Sequence, residues 1–389
     1  MASALEIPIA ERERARDAMT PRQRLLAALA RQATDRVPIS FKTINPFNPS
    51  NARLQTDSNY RLVTDLAARY TDVMHDWRVL DAQPHYSGSP DIRVEKVTSR
   101  DGLEVLTKVT TPEGVLTQIK RTIEGSAWEL KPFLASERDL EIFFAHAWVP
   151  QRPDLRSFWR EAEKVGENGL MRITHKDPIG MVAELLPRES LYVWMMERPE
   201  LVDRLHETMF ERLLDLMTYL GTAGVRCAVE FGGAEYAAPP MASPQLFDRY
   251  VGRFGPPLTE LLKHYGCTPY LHCHARVGAW LERFATMGYV ATHPVEPPPM
   301  GDVTPAEFKR RVGDRLALLG NVQIGEVLAG EPASIHAWVR DLIAVAGPGG
   351  GLIVRESASP WQTPMRDITV RNYMAMIEAA YRYGRYPLG

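Results

Sequence analysis

The sequence predicts an α/β protein, a single (β/α)8 TIM barrel carrying an antiparallel β-hairpin insertion, on three observations. Eight short apolar segments recur along the chain, and most are followed by a stretch with helical spacing. Strands separated by helices call for a parallel sheet, and eight of them suit a closed barrel better than an open doubly wound sheet. No G-x-G-x-x-G follows a strand, and Gly349-Gly-Gly351 precedes one, the wrong side for a phosphate cradle.

Residues 1–19 are polar and rich in Arg, Glu and Ala, and read as a flexible N-terminal segment or a frayed helix. The barrel domain then runs over 20–389. Thr20-Pro-Arg-Gln23 opens a helix, with a capping Thr and Pro in the first turn, ahead of Leu25, Leu26 and Leu29. Arg36-Val-Pro-Ile-Ser-Phe41 is the first strand; a loop over 45–59 and a helix over 60–70 lead to the second at 71–75. Between 87 and 134 the period changes to two, over Ile92–Val97, Leu103–Val109 and Val115–Arg121, with turn chemistry at Arg100-Asp-Gly102 and Pro112-Glu-Gly114. This is the antiparallel insertion, expected to cap one end of the main domain. Helices at 136–147 and 154–165 precede the strand at 170–174; helices at 180–186 and 199–223 precede that at 225–230. A helix from Ser243 to about Tyr265, interrupted near Pro256-Pro257, follows. Strands at 268–273, 289–292, 316–319 and 351–355 then alternate with helices at 277–287, 304–312, 334–346 and 368–384.

Composition narrows the function. Hydrophobic residues at 45% and charged ones at 24%, with a net charge of −2, give no electrostatic case for nucleic acid and favour a small-molecule partner. Three cysteines, Cys227, Cys267 and Cys273, suit a reducing compartment. No apolar run approaches the roughly 20 residues of a membrane helix. With a charged N-terminus, this predicts a cytoplasmic protein without membrane partners, for which an oligomer is open.

In a barrel the carboxyl ends of the strands form the active face. Those ends read Lys42; His75 and Asp76; His175, Lys176 and Asp177; Glu230; His272 and His274; His293 and Glu296; Asn321 and Gln323; Arg355 and Glu356. His272 and His274 stand on the same side of an extended strand, a spacing that can hold a metal, while Cys273 faces away toward the core. A third ligand would come from Glu356, Glu230, Glu235 or His293. Glu230 has a second reading, as the structural partner of Arg226 or Arg355. Met300 and Trp361 are candidates for an apolar pocket wall.

The chain also resembles a known family. The Arg22–Leu29 helix followed by Asp35-Arg-Val-Pro38, then Asp177-Pro-Ile-Gly180, Pro199-Glu-Leu-Val202, Ser243-Pro-Gln-Leu-Phe247, Leu271-His-Cys-His274, Gly313-Asp-Arg-Leu-Ala317 and Tyr383-Gly-Arg-Tyr-Pro-Leu388, in this order, look like the uroporphyrinogen decarboxylase superfamily. The resemblance implies a barrel with its pocket at the carboxyl face and one of two chemistries. Cofactor-free decarboxylases of the family carry Arg-Gln-Ala-Gly-Arg after the first strand; here Phe41-Lys-Thr-Ile-Asn-Pro46 stands instead. Zinc methyltransferases of the family use His-x-Cys at the position of 272–274 and a further Cys after the last strand. Here the pattern is His272-x-His274, with Glu356-Ser-Ala-Ser359 near the last strand.

Imidazole and carboxylate ligands leave a metal more electrophilic than thiolates do, which favours activation of water or a hydroxyl. The leading expectation is a metal-dependent, zinc-type methyltransferase with His272, His274 and Glu356 on the ion. Glu230, Glu235 or Asp177 would do the proton work, and Asp177 or Glu296 would orient the histidines. Lys42, His175, Lys176, His293, Glu296, Gln323 and Arg355 would bind substrate. The resemblance implies a corrinoid or folate methyl carrier, with a corrinoid protein as partner. The alternatives are a metal-free decarboxylase or lyase whose Arg355, Lys42 and Lys176 hold carboxylates, and a binding protein that kept the fold without the chemistry.

Overall fold

The structure, a computed structural model, describes residues 5–79, 86–123, 126–274 and 276–388. Two sheets organise it. The larger has seven parallel strands: β1 Val73–Asp76, β6 Gly169–Lys176, β7 Ala228–Gly232, β8 Thr268–His272, β9 Ala291–His293, β10 Ala317–Leu319 and β11 Leu352–Ile353, paired in that order. Apart from the ionisable groups toward their carboxyl ends, these strands are apolar on both faces because both are covered, as in parallel sheets generally. Met74, Leu170, Ala228, Tyr270, Ala291, Ala317, Leu319 and Ile353, drawn from all seven strands, meet in one buried cluster. Only a curled sheet brings its first and last strands to a common interior. The helix Pro21–Leu29, capped by Thr20, inserts Leu25, Ala28 and Leu29 into the same cluster and so stops one end of the curl.

The first expected strand, 36–41, forms only an isolated bridge between Ile39 and Val354. Pro38 has no N–H to give to a ladder. The segment is nevertheless tied to both ends of the curled sheet: Ser40 N donates to Val354 O (3.0 Å), Val354 N to Pro38 O (2.8 Å) and Asp72 N to Ile39 O (2.7 Å).

The smaller sheet is antiparallel: β2 Arg93–Thr98, β3 Glu104–Thr111, β4 Gly114–Ile123 and β5 Ser126–Lys131. It occupies the expected insertion, with β5 as a strand beyond the three expected. Val109 and Leu116 are buried on one face, while Trp128 and Leu130 are exposed.

Other departures have local causes. Residues 8–14 form a helix, Pro8–Arg14, anchored by the buried Ile7 and Ala10. The helix Arg188–Glu197 was not expected; only Leu191 and Met195 are buried along it, too few to show a period. The expected helix from Ser243 divides into Pro244–Phe247, a π-helical turn Asp248–Gly252, and Gly255–His264. The break falls before Pro256-Pro257, which occupy the first turn of the last piece, where a missing N–H costs nothing. Among the described residues no helix is long and apolar enough to cross a membrane.

Candidate functional site

Parallel pairing sets the site, because residues at equivalent heights on neighbouring strands share the interior. Glu230 stands beside Tyr270, and His272 beside His293. Lys42 arrives from the loop after the Ile39 bridge and places its ammonium among them: Nζ is 2.7 Å from Glu230 Oε1, 3.1 Å from His272 Nδ1 and 3.4 Å from His293 Nδ1. The other Glu230 oxygen accepts from Arg172 Nη1 (3.0 Å) and from the Tyr270 hydroxyl. Arg172 also donates to Asp76 (2.6 Å) and, through Nη2, to the Lys42 carbonyl (3.0 Å), which fixes the backbone of the lysine.

Burial works against the charge of Glu230, but Lys42 and Arg172 outweigh it and hold the carboxyl well below the usual carboxylate range. Burial pulls Lys42 down, against the Glu230 carboxylate, which pulls it up. Burial and then the Lys42 ammonium push His272 and His293 well below the ordinary imidazole value, so both rings are neutral.

The hydrogen bonds select the tautomers. His293 Nε2 is 3.0 Å from the Glu356 carbonyl, which can only accept, so that nitrogen carries the His293 proton and its Nδ1 is bare. His272 Nδ1 lies 2.8 Å from that bare nitrogen, and two lone pairs would repel there, so His272 Nδ1–H donates; the Lys42 ammonium, 3.1 Å from the same atom, then makes no hydrogen bond to it and gives its protons to Glu230 and His293. His272 therefore keeps its lone pair on Nε2, an atom with no protein partner among the described residues. The half-buried ring makes a neutral base beside a fixed cation.

His274 turns another way. Its Nδ1 pairs with Glu296 at 3.1 Å, and its ring lies edge-on to His272 with centroids 4.8 Å apart. His274, Glu296 and Gln323 line a cavity of about 910 Å³ whose apolar walls include Met300, Ile324, Trp338 and Trp361. Gln323 presents an Nε2 without a partner in the described residues.

The remaining expected site residues lie apart from this cluster or serve it from behind. Glu356 is fully buried; its Oε1 accepts from Lys42 N (2.9 Å) and the Tyr373 hydroxyl (3.3 Å), and burial raises its carboxyl. Arg355 is also fully buried and donates to the Ser40 carbonyl (3.0 Å) and hydroxyl (3.1 Å), bracing the loop that carries Lys42. Glu230 pairs with neither Arg226 nor Arg355. Asp177 caps the helix Pro178–Ala183 through Gly180 N (2.8 Å), and burial pushes its carboxyl up to about 8. Gly180 is glycine because it packs on the backbone of Gly233; an added Cβ would sit 3.0 Å from the Gly233 Cα. Glu235 accepts from Gly233 N (3.1 Å), and His175 Nδ1 lies 2.7 Å from the Lys176 carbonyl. Cys273 is buried and free, as expected of a core residue.

Sequence reading missed Arg172 and Tyr270. Their signal was the alternation itself: Arg172 is a charged residue two positions after Leu170 on the interior face of an apolar strand, and only an internal acid tolerates it there.

The expected metal set does not assemble. His272 points to His293 and Lys42, His274 to Glu296, and Glu356 to backbone and Tyr373. Among the described residues no three His, Cys, Asp or Glu side chains are placed to hold a metal ion.

A curled parallel sheet with its ionisable groups gathered at the carboxyl ends of the strands defines a barrel-like α/β protein with an enzyme-type site. Residues 178–383 match the family model described as uroporphyrinogen decarboxylase (URO-D), and the chain belongs to that family. No curated protein sequence matches it significantly. Among solved structures it is similar to a methyltransferase from Methanosarcina mazei, with a TM-score of 0.59 and 16% identity over 94% of this chain and 99% of that one, a likeness of fold. A Bacillus subtilis mannanase, BCman (TM-score 0.39, 9% identity, 90% and 88% covered), and a Bacteroidetes-affiliated GH5 cellulase (0.37, 9%, 58% and 73%) are too distant to inform the site.

Proposed function

We propose that this URO-D-family protein is a methyltransferase acting on a small molecule, with a proton acceptor and a fixed ammonium performing the activation at its strand ends. The observation that carries the reading is His272, a neutral imidazole with a free Nε2, beside the Lys42 ammonium and next to the cavity wall formed by His274. An acceptor hydroxyl or thiol gives its proton to His272 Nε2, and the developing anion is stabilised by Lys42. The anion attacks the methyl carbon of the donor, and the donor leaves with the electron pair of the broken bond. Burial of Lys42 against Glu230 and Arg172 keeps the cation in place through this sequence. The likeness in fold to a methyltransferase from a methanogen along nearly the whole chain supports the class; the methyl carrier in this proposal is a corrinoid or a folate. In this reading the segment 37–41 completes the ring as an eighth strand, through its bonds to Val354 and Asp72.

Decarboxylation finds less support. Of the three side chains expected to hold carboxylates, Arg355 is sealed behind Ser40. Incubation with methylcobalamin or 5-methyltetrahydrofolate and a panel of thiols and phenols, read by mass spectrometry, tests the proposal. Methylated acceptor that disappears in His272→Ala is expected. Release of CO2 from a carboxylated substrate, with no methyl transfer from either donor, would reverse the assignment.

A further inference from the structure

We infer that Lys42 occupies, as a built-in cation, the point at which a divalent metal would bind, and that removing its ammonium uncovers a metal site made of Glu230, His272 and His293. These three donors belong to the chain itself, whichever reaction the site performs.

One carboxylate oxygen and two imidazole nitrogens from three adjacent strands face a single cation at 2.7, 3.1 and 3.4 Å. With every nitrogen bare that is the donor set of a catalytic zinc, one ångström or so too long for metal bonds of about 2.0–2.2 Å; in the lysine form the ammonium hydrogen-bonds Glu230 and His293 and only abuts the Nδ1–H of His272. Outer-shell support is present as well. His293 donates its Nε2–H to the Glu356 carbonyl (3.0 Å), which aims Nδ1 at the centre, and Arg172 holds the far oxygen of Glu230 (3.0 Å). Metal-binding histidines and carboxylates are oriented in this way. Two details belong to the lysine form. The His272 and His293 Nδ1 atoms are 2.8 Å apart, a hydrogen bond; two nitrogens on one tetrahedral zinc would stand about 3.3 Å apart. His272 also carries its proton on Nδ1, the atom a metal would need bare. Without the ammonium the rings separate by about half an ångström and the His272 proton moves to Nε2, leaving three open donors around a void the size of an ammonium group.

The test is Co²⁺ uptake, read by the visible d–d bands of the tetrahedral ion and by metal analysis, on untagged wild-type protein and on Lys42→Ala. Wild-type protein should take up no stoichiometric Co²⁺. Lys42→Ala should bind one ion per chain, with its melting temperature raised by Zn²⁺. Lys42→Ala/His293→Ala should lose that affinity by more than the 10–100-fold that an outer-shell partner is worth. Lys42→Ser replaces Lys42→Ala if the latter fails to fold. A wild-type chain that binds one Co²⁺ with Lys42 in place overturns the inference, as does a folded Lys42 variant that binds none. Failure of methyl transfer alone leaves these metal readouts unchanged and bears only on the proposed reaction.

Discussion

Replacing Glu230 by Gln isolates the interaction on which the site stands. The substitution keeps the shape of the side chain and removes its charge, stranding the Lys42 ammonium, while Arg172 keeps Asp76. At an effective dielectric of about 20, the 2.7 Å contact to Lys42 and the 3.0 Å contact to Arg172 are each worth about 6 kcal/mol of gross attraction. Most of that offsets the desolvation of the charges, and breaking such a buried pair costs about 3–5 kcal/mol net. With an unfolding entropy of about 2.1 cal/mol/K per residue over 389 residues, this lowers Tm by about 4–6 °C. Differential scanning calorimetry measures the drop. Lys42→Met/Glu230→Gln should recover at least about 1 kcal/mol relative to the sum of the single changes, because no ammonium is then left stranded. A Glu230→Gln protein melting within about 1 °C of wild type would refute the view that this carboxylate holds the cations.

Four more expectations follow from the same geometry. His272→Ala should lower kcat by about 10²–10⁴ with circular dichroism unchanged. Since burial and Lys42 hold this imidazole low, the rate of the wild type should stay flat well below the ordinary histidine range as pH falls, and Lys42→Met should move the acid limb of the profile upward. Asp177 has a folded pKa of about 8 against an ordinary 3.8, so the folded state holds a proton the unfolded state releases. Its stabilising contribution is therefore complete below about pH 4 and lost as pH rises to about 8, and Asp177→Asn, which keeps the helix cap, should flatten the fall of Tm over that window. Trp361→Ala removes an apolar wall of the cavity and should raise KM roughly 10-fold with little change in kcat.

The parts of this protein that depend on local pattern were legible before any coordinates. Apolar segments followed by helical spacing located all seven strands of the parallel sheet to within a few residues, because a strand covered on both faces is apolar over most of its length. Alternation with Asp-Gly and Glu-Gly turns exposed the antiparallel sheet for an equally local reason. The segment at Pro38 read as a strand but makes only a bridge, since its place between the sheet's two ends depends on closure and not on its own ladder capacity.

The site divides along the same line. That His272, His293, Glu230 and Lys42 belong to one face follows from strand direction, which sequence spacing reports. Which of them meet does not. Side-chain direction beyond the strand end separated His274 from His272 and sent it to Glu296, and the turn after Phe41 brought a lysine from early in the chain to the midpoint between residues 230, 272 and 293. Arg172 then became the counter-charge that makes the cluster affordable in a buried place, a pairing between strands that no single segment encodes. The sequence alone therefore determined the layered α/β framework and the list of groups at its mouth, which rest on periodicity. Only the tertiary structure decided that the centre of the histidine and carboxylate cluster is an ammonium, because that outcome depends on distances of about 3 Å between residues far apart in the chain.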